Sequence, residues 1–423
     1  MRFAVLFVVG MLSACQIWAA SGSFQAMRLF EGDAGGYKLY RIPGVVVTTK
    51  GTILAYTEAR RTGSGDWDSI DILLRRSTDG GRTFSPQRVI AQAPGKIDRN
   101  PVAVERNQRR SDGLTYNNPV AIADRNGTVH FLFCVEYMRA FYMRSDDDGQ
   151  TFSVPTEITS AFDDFRSEYA WRVLATGPGH GIQLRSGRLL VPVWLSLGTA
   201  GNGHHPSVTA TIFSDDDGAT WHRGDIAVPN TPEFPDPNET AAVELADGTV
   251  MLNVRTDARE NRRTDVVSKD GATHWSPPRF QEHLPDPICF ASIVRLSTAE
   301  HGGRNRLLFV NPDNLARADG KDARSKDRVN LAVRLSYDEG AHWTVKRTIE
   351  PGKTGYADLA VMPDGTILCL YEVVKPTPEG SERHDEMLGR FNLEWLTEGA
   401  DSLPAHGLKR ATNARKHSSS DIR

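Results

Sequence analysis

The chain has 423 residues, a formal net charge of −3, and 39% hydrophobic against 24% charged residues. That length can bury an ample core without disulfide staples, and the near-neutral charge excludes nucleic acid as the main partner. Four cysteines with no CxxC spacing, and no histidine pair at zinc-ligand spacing, exclude a zinc module.

The first segment, Met1-Arg2-Phe3 followed by the apolar run from Ala4 to Ala14, has a charged tip and a core too short to span a bilayer. It reads as an export signal over residues 1–20, so the protein is expected in the periplasm, on the cell surface as a lipoprotein, or secreted. Leu12-Ser13-Ala14-Cys15 resembles a lipoprotein cleavage box, and Ile17-Trp18-Ala19-Ala20 offers an ordinary small-residue site. The first is preferred of the two and makes Cys15 a lipid anchor. No later segment reads as transmembrane.

From residue 24 to 398 the chain reads as one all-β domain. Segments 70–76, 129–137, 189–195, 249–255, 306–310, 329–335 and 366–372 are short, rich in Val, Ile, Leu and aromatics, and bounded by Gly, Asp or Pro. No long stretch carries a 3.6-residue period. Five copies of Ser-X-Asp-X-Gly-X-Thr-Phe/Trp begin at Ser77, Ser145, Ser214, Ser268 and Ser336, the fourth degenerate, at intervals of 68, 69, 54 and 68 residues. Such recurrence marks one supersecondary unit repeated around an axis. Within each copy Asp and Ser can bond nearby backbone N–H groups, glycine accepts positive φ, and the aromatic returns to a core, which suits a strand-to-strand turn. Spread over six blades, roughly 375 residues give about 60 per blade, and the expected fold is a six-bladed β-propeller of four-stranded antiparallel blades. A calcium loop is disfavoured: placing Gly149 or Gly218 as its glycine puts Arg144 or Phe213 where an acidic ligand must stand. Cys134, Cys289 and Cys369 read as buried unpaired thiols. Residues 399–423 are polar, basic and aperiodic, and are expected to be a disordered tail.

Tyr40-Arg41-Ile42-Pro43 stands before the first blade-like strand. Together with the boxes downstream, this tetrapeptide resembles the exo-sialidases (neuraminidases), glycoside hydrolases that remove terminal sialic acids. Further segments agree in order: Glu58-Ala59-Arg60, Asp66 through Arg76, Thr176-Gly177-Pro178-Gly179-His180, Asn238-Glu239 leading to Arg255, Arg328-Val329-Asn330-Leu331, and Gly355-Tyr356. The resemblance covers about residues 30–392 and implies a monomeric exo-α-sialidase acting on sialylated glycoconjugates, with no metal or organic cofactor.

It also implies roles. Arg41, Arg255 and Arg328 form a triad for the substrate carboxylate, since guanidinium is planar, permanently charged and matched to bidentate binding; Arg324 and Lys326 lie close before Arg328. An anionic nucleophile would be repelled by that carboxylate, so a neutral phenol, Tyr356, attacks with Glu239 as its base, giving a tyrosyl intermediate and retention. The acid that protonates the leaving oxygen matches Asp66, with Asp68 second; Asp71 alternates with Ile70 and Ile72 in a strand and faces away. Glu372 matches a carboxylate that orients Arg41, Arg60 a pocket arginine beside the acid, and Asn118 a polar group reaching the sugar. Gly177 to His180 reads as a rim turn outside the chemistry. Alternative readings are transfer of sialic acid to another sugar, hydrolysis of a related nonulosonic acid, and a non-catalytic propeller that binds glycans. If Cys15 carries the lipid, Cys15→Ala abolishes incorporation of labelled fatty acid, measured in cells; continued labelling excludes the anchor.

Overall fold

The structure is a computed structural model that describes residues 22–404 apart from 64, 109 and 110. The export signal, the anchor at Cys15 and the tail beyond residue 404 lie outside the described residues. No described helix is long and apolar enough to cross a membrane.

Six antiparallel four-stranded blades surround one axis. Blade one is Leu39–Val47, Ile53–Arg60, Ile70–Ser77 and Arg88–Val89, and blade two is Tyr116–Ala123, Val129–Val135, Arg139–Ser145 and Thr156–Glu157. Blade three is Val173–Thr176, Leu189–Ala200, His205–Ser214 and His222–Val228; blade four is Thr240–Glu244, Val250–Val254, Arg262–Ser268 and Arg279–Pro285. The remaining seven strands form one continuous sheet because Val345–Val361 serves two blades. Its residues up to Lys353 pair with Val329–Ser336 to finish blade five, and those from Thr354 pair with Ile367–Pro376 to open blade six. Blade six is completed by Glu382–Phe391 and by the first strand of the chain, Phe24–Phe30, in register Phe24↔Phe391 to Arg28↔Met387. That pairing joins the two ends of the domain and leaves no open edge between first and last blades.

The boxes sit at the turn from third to fourth strand in blades one to five. In the first, Ser77 Oγ donates to Asp79 Oδ1 at 2.8 Å while accepting from Gly81 N at 2.9 Å, and Thr83 N donates to Asp79 at 3.0 Å. The degenerate fourth copy closes one residue tighter, with Thr273 N on Asp270 at 2.8 Å, and in the fifth His342 replaces the threonine. The terminal aromatics Phe84, Phe152, Trp221, Trp275 and Trp343 each pack in a different hydrophobic cluster.

Those clusters explain the alternating apolar pattern. Each of six lies between two neighbouring blades, for example Tyr56, Ile72, Phe131 and Phe141 between blades one and two, and Leu308, Val333, Leu359 and Cys369 between five and six. A seventh, small one of Ile42, Cys289, Phe290 and Tyr356 plugs the axis. Cys134, Cys289 and Cys369 are buried free thiols, as expected. The tail differs from its expected start at 399: Asp401 accepts from Arg306 at 2.7 Å and from Tyr337 Oη at 2.9 Å, and Leu403 packs on the core, because Arg306 is buried and needs a counter-charge.

One box also ties blades together. Asp148 accepts from Thr48 Oγ1 and Thr52 Oγ1, both at 2.6 Å, and from Arg76 at 2.5 Å in blade one. Asp148→Ala is expected to destabilise the propeller by about 2–4 kcal/mol because Arg76 loses this counter-charge, with a smaller loss for Asp148→Asn, both measured by chemical denaturation.

Candidate active site

The innermost strands of the blades run in the same direction from one mouth of the axis, so residues at their starts converge there. At the start of Leu39–Val47 the ladder slips between Arg41 and Gly44. Ile42 has φ 62, a left-handed conformation that a β-branched residue rarely adopts, and its N–H donates to Glu372 Oε1 at 3.0 Å instead of to the sheet. Arg41 itself pairs with Glu58, and the bulge of Ile42 and Pro43 that follows leaves its side chain over the axial plug. The equivalent place in blade two repeats the device: Asn118, φ 48, precedes Pro119 at a slip between Asn117 and Val120.

At the floor, Tyr356 Oη donates to Glu239, with the two carboxylate oxygens at 2.5 and 2.6 Å. Arg255, beside Glu239 at the end of the blade-four hairpin, pairs with that carboxylate and also donates to Tyr356 Oη at 2.9 Å. The guanidinium carbons of Arg41 and Arg328 each lie 5.3 Å from the Tyr356 ring centre. Burial, reinforced by Glu239, pushes the phenol well above its ordinary value; the three arginines pull it back only in part. Burial therefore favours the protonated phenol in the free protein. Glu372 lies 3.4 Å from Arg41 Nε. It is reached past Gly355, where a Cβ would stand 1.9 Å from Glu372 Oε2, so only glycine fits before the tyrosine.

Facing this floor is Asp66, whose Oδ1 accepts from Arg60 at 2.8 Å and lies 3.9 Å from Arg41. Burial alone would raise its pKa, but Arg60, with His204 and Arg41, outweighs burial and holds the carboxyl well below the usual range. Asp68 is buried against Thr62 Oγ1, and Asp71 accepts from Tyr37 Oη and Arg61, so neither lines the cavity. Arg60 differs from expectation. It stands beside the acid, yet it is fully buried behind it and bonded to Glu58 at 2.8 Å as well as to Asp66, so it orders the wall instead of facing the opening.

The resulting cavity of about 190 Å³ is lined by Arg41, Ile42, Asp66, Asn118, Asn238, Glu239, Arg255, Arg328 and Tyr356, and by a wall of Tyr137, Trp194, Asn202, His204 and His205. The triad, the acid, the base and the tyrosine named from sequence are thus together. The wall was not among the sequence candidates: Tyr137 and Trp194 lie in segments that read as core strands, and Asn202 and His204 belong to a turn, with His205 opening the strand after it, whose path no local pattern specifies. The Gly177–His180 segment is not a rim turn. Gly179–His180 pairs in parallel with Tyr116–Ala123, and His180 Nδ1 meets Asp358 Oδ1 at 2.7 Å, lining a more apolar cavity of about 430 Å³ on the other side of the plug. Among the described residues, His205, Asp236 and Asp257 bring ligand atoms within 4.8 Å of one another; two carboxylates and an imidazole are an incomplete shell for calcium, which takes six to eight oxygens.

The fold agrees with comparisons to known proteins. The chain belongs to the BNR repeat-like domain family, which matches residues 98–369. It is 33% identical over 386 residues to a sialidase of Micromonospora viridifaciens, covering 85% of this chain and 52% of that protein. It is 29% identical over 351 residues to a sialidase of Bacteroides fragilis, covering 79% and 60%. The chain thus spans little more than half the length of these relatives. Among solved structures, a Hadza microbial sialidase superposes with a TM-score of 0.68 at 24% identity, covering 88% of this chain and 69% of that one, a likeness of fold.

His204 supplies a pH test. Its ring packs against Trp67, Tyr137 and Trp194. Burial lowers its pKa from 6.5 to about 4, with Asp66 opposing in part. The neutral ring is the folded form, so its stabilising contribution is complete above pH 6.5 and is lost as pH falls towards 4. His204→Phe is expected to lessen the fall in Tm between neutral pH and pH 4 by a few degrees in calorimetry; an unchanged fall excludes a buried neutral ring.

Proposed function

We propose that the chain is a retaining exo-α-sialidase that hydrolyses terminal sialic acids from glycoconjugates. Support comes from the sialidase relatives and, most directly, from the phenol of Tyr356 hydrogen-bonded to Glu239 at 2.5 to 2.6 Å beneath three arginines.

In this reading Arg41, Arg255 and Arg328 take the substrate carboxylate, which brings the anomeric carbon over Tyr356. Glu239 removes the phenolic proton as the tyrosyl oxygen bonds to C2. Asp66 gives its proton to the departing oxygen, and the C2–O bond breaks. In the second step Asp66 takes a proton from water, the water oxygen bonds to C2 as the bond from C2 to the Tyr356 oxygen breaks, and Glu239 returns the first proton to Tyr356. The arginines that hold Asp66 ionised in the free protein are offset by the substrate's own carboxylate, so binding raises the pKa of the acid towards the value its task requires. Asn118 lines the sugar side of the cavity, and Glu372 restrains Arg41 from behind.

Tyr356→Phe is expected to lower kcat by at least about a thousandfold, and Asp66→Ala to lower kcat/KM by about 10²–10⁴ on an alkyl sialoside, with both proteins keeping the wild-type Tm. Product anomers followed by NMR are expected to show retention. Full activity in Tyr356→Phe, or inversion, refutes the mechanism.

A further inference from the structure

The hairpin of Leu189–Ala200 and His205–Ser214 leaves blade three and reaches the loop that carries Asp66 in blade one. Its turn is held through backbone carbonyls: Trp67 Nε1 donates to Asn202 O at 2.9 Å, and Arg106 donates to Gly198 O and Gly201 O, each at 3.0 Å. Close approach is built in, since a Cβ at Gly203, φ +94, would stand 2.7 Å from Val102 and 3.3 Å from Trp67. The Asn202 side chain carries a different contact. Its Nδ2 donates to Asp66 Oδ2 at 3.3 Å.

The two oxygens of Asp66 therefore have unlike partners. Oδ1 accepts from Arg60, a group that can only donate, so a proton placed there would displace that hydrogen bond. Oδ2 accepts from the amide Nδ2, while Oδ1 of the same amide accepts from His204 N at 3.3 Å, which keeps the amide N–H turned towards the carboxyl. The other ionisable groups around Asp66 are Arg41 and Arg60 from blade one, with Glu58 behind Arg60, Tyr137 from blade two, and His204 from the hairpin. Among the described residues, Asn202 makes the hydrogen bond recorded to Oδ2.

We propose that Asn202 is a positioning residue for Asp66, donating to one lone pair of Oδ2 in both protonation states and so leaving the other as the place from which the catalytic proton is delivered and recovered. This rests on the reading of Asp66 as acid and base under Proposed function. In the first step the proton on Oδ2 passes to the oxygen leaving C2 as the bond from C2 to Tyr356 forms and the bond from C2 to that oxygen breaks, while Asn202 Nδ2 keeps its hydrogen bond to Oδ2. In the second step Oδ2 takes a proton from water as the water oxygen bonds to C2 and the tyrosyl bond breaks, with the amide still donating to Oδ2.

The test compares wild type, Asn202→Ala and Asn202→Asp on the methyl and 4-nitrophenyl α-glycosides of one sialic acid. Methoxide must be protonated to leave, whereas nitrophenolate need not be. Asn202→Ala is expected to lose about ten- to a hundredfold in kcat/KM on the methyl glycoside and less than about threefold on the aryl one. The backbone carbonyl bonded to Trp67 survives that substitution, so Tm is expected to hold. Asn202→Asp, nearly isosteric, places a like charge at Oδ2 and moves the alkaline limb of the methyl-glycoside profile to higher pH, which keeps the test decisive should the alanine variant fail to fold. Equal losses on both substrates, no loss on either, or an unmoved alkaline limb overturns the proposal. Failure of the underlying reading is distinct: Asp66→Ala or Tyr356→Phe would then retain full activity.

Discussion

The pairing of Phe24–Phe30 with Glu382–Phe391 is the constraint on which the rest depends. It joins residues more than 350 positions apart and turns a row of blades into a ring. Within a ring the innermost strands share one direction, so the residues at their starts must meet at one mouth. A bulge at Arg41, a hairpin end at Glu239 and Arg255, and a slip between Thr354 and Ala357 then become neighbours although no two of them belong to the same local motif. An open row would keep five of the six interblade clusters, losing the one between blades six and one, and would have no site.

The site itself is an exercise in keeping charge apart. Three arginines and a buried fourth, Arg60, face carboxylates whose surroundings differ. Glu58 is enclosed with Arg60, and burial raises its pKa; Asp66 is held low by the same guanidinium and by its exposure to Arg41 and His204. Glu239 sits against the phenol, and Glu372 sits behind Arg41. Each carboxylate thus has at least two partners that set its orientation, which limits how the cavity can rearrange. The apolar plug of Ile42, Cys289, Phe290 and Tyr356 beneath them separates this polar cavity from the apolar one around His180, and low dielectric on that side strengthens the interactions above it.

Much of this was legible without coordinates, for identifiable reasons. Asp boxes are local turns whose hydrogen bonds lie within four residues, so Ser77, Asp79 and Gly81 announce themselves wherever the chain goes. That there are five boxes for six blades follows only from the fold: in blade six the third strand, Glu382–Phe391, is completed by the chain's first strand, so no covalent turn exists there to carry a box. Catalytic candidates were legible because they lie inside short recognisable segments. Arg60 was placed beside the acid correctly but on the wrong side of it, since which face a strand residue presents at a bulged blade edge depends on Glu58 and the neighbouring blade.

By itself, then, the sequence determined the repeat and the all-β class, because both are written in local patterns, and its resemblance to the exo-sialidases singled out Arg41, Asp66, Glu239, Arg255, Arg328 and Tyr356 as candidates. Only the tertiary structure decided that His180 belongs to the opposite cavity, that Asp401 closes on Arg306, and that Asn202 reaches Asp66 across 136 positions. The physical reason is common to all three: they are contacts between elements that meet only once the ring is closed, and no periodicity or turn chemistry within the chain records them.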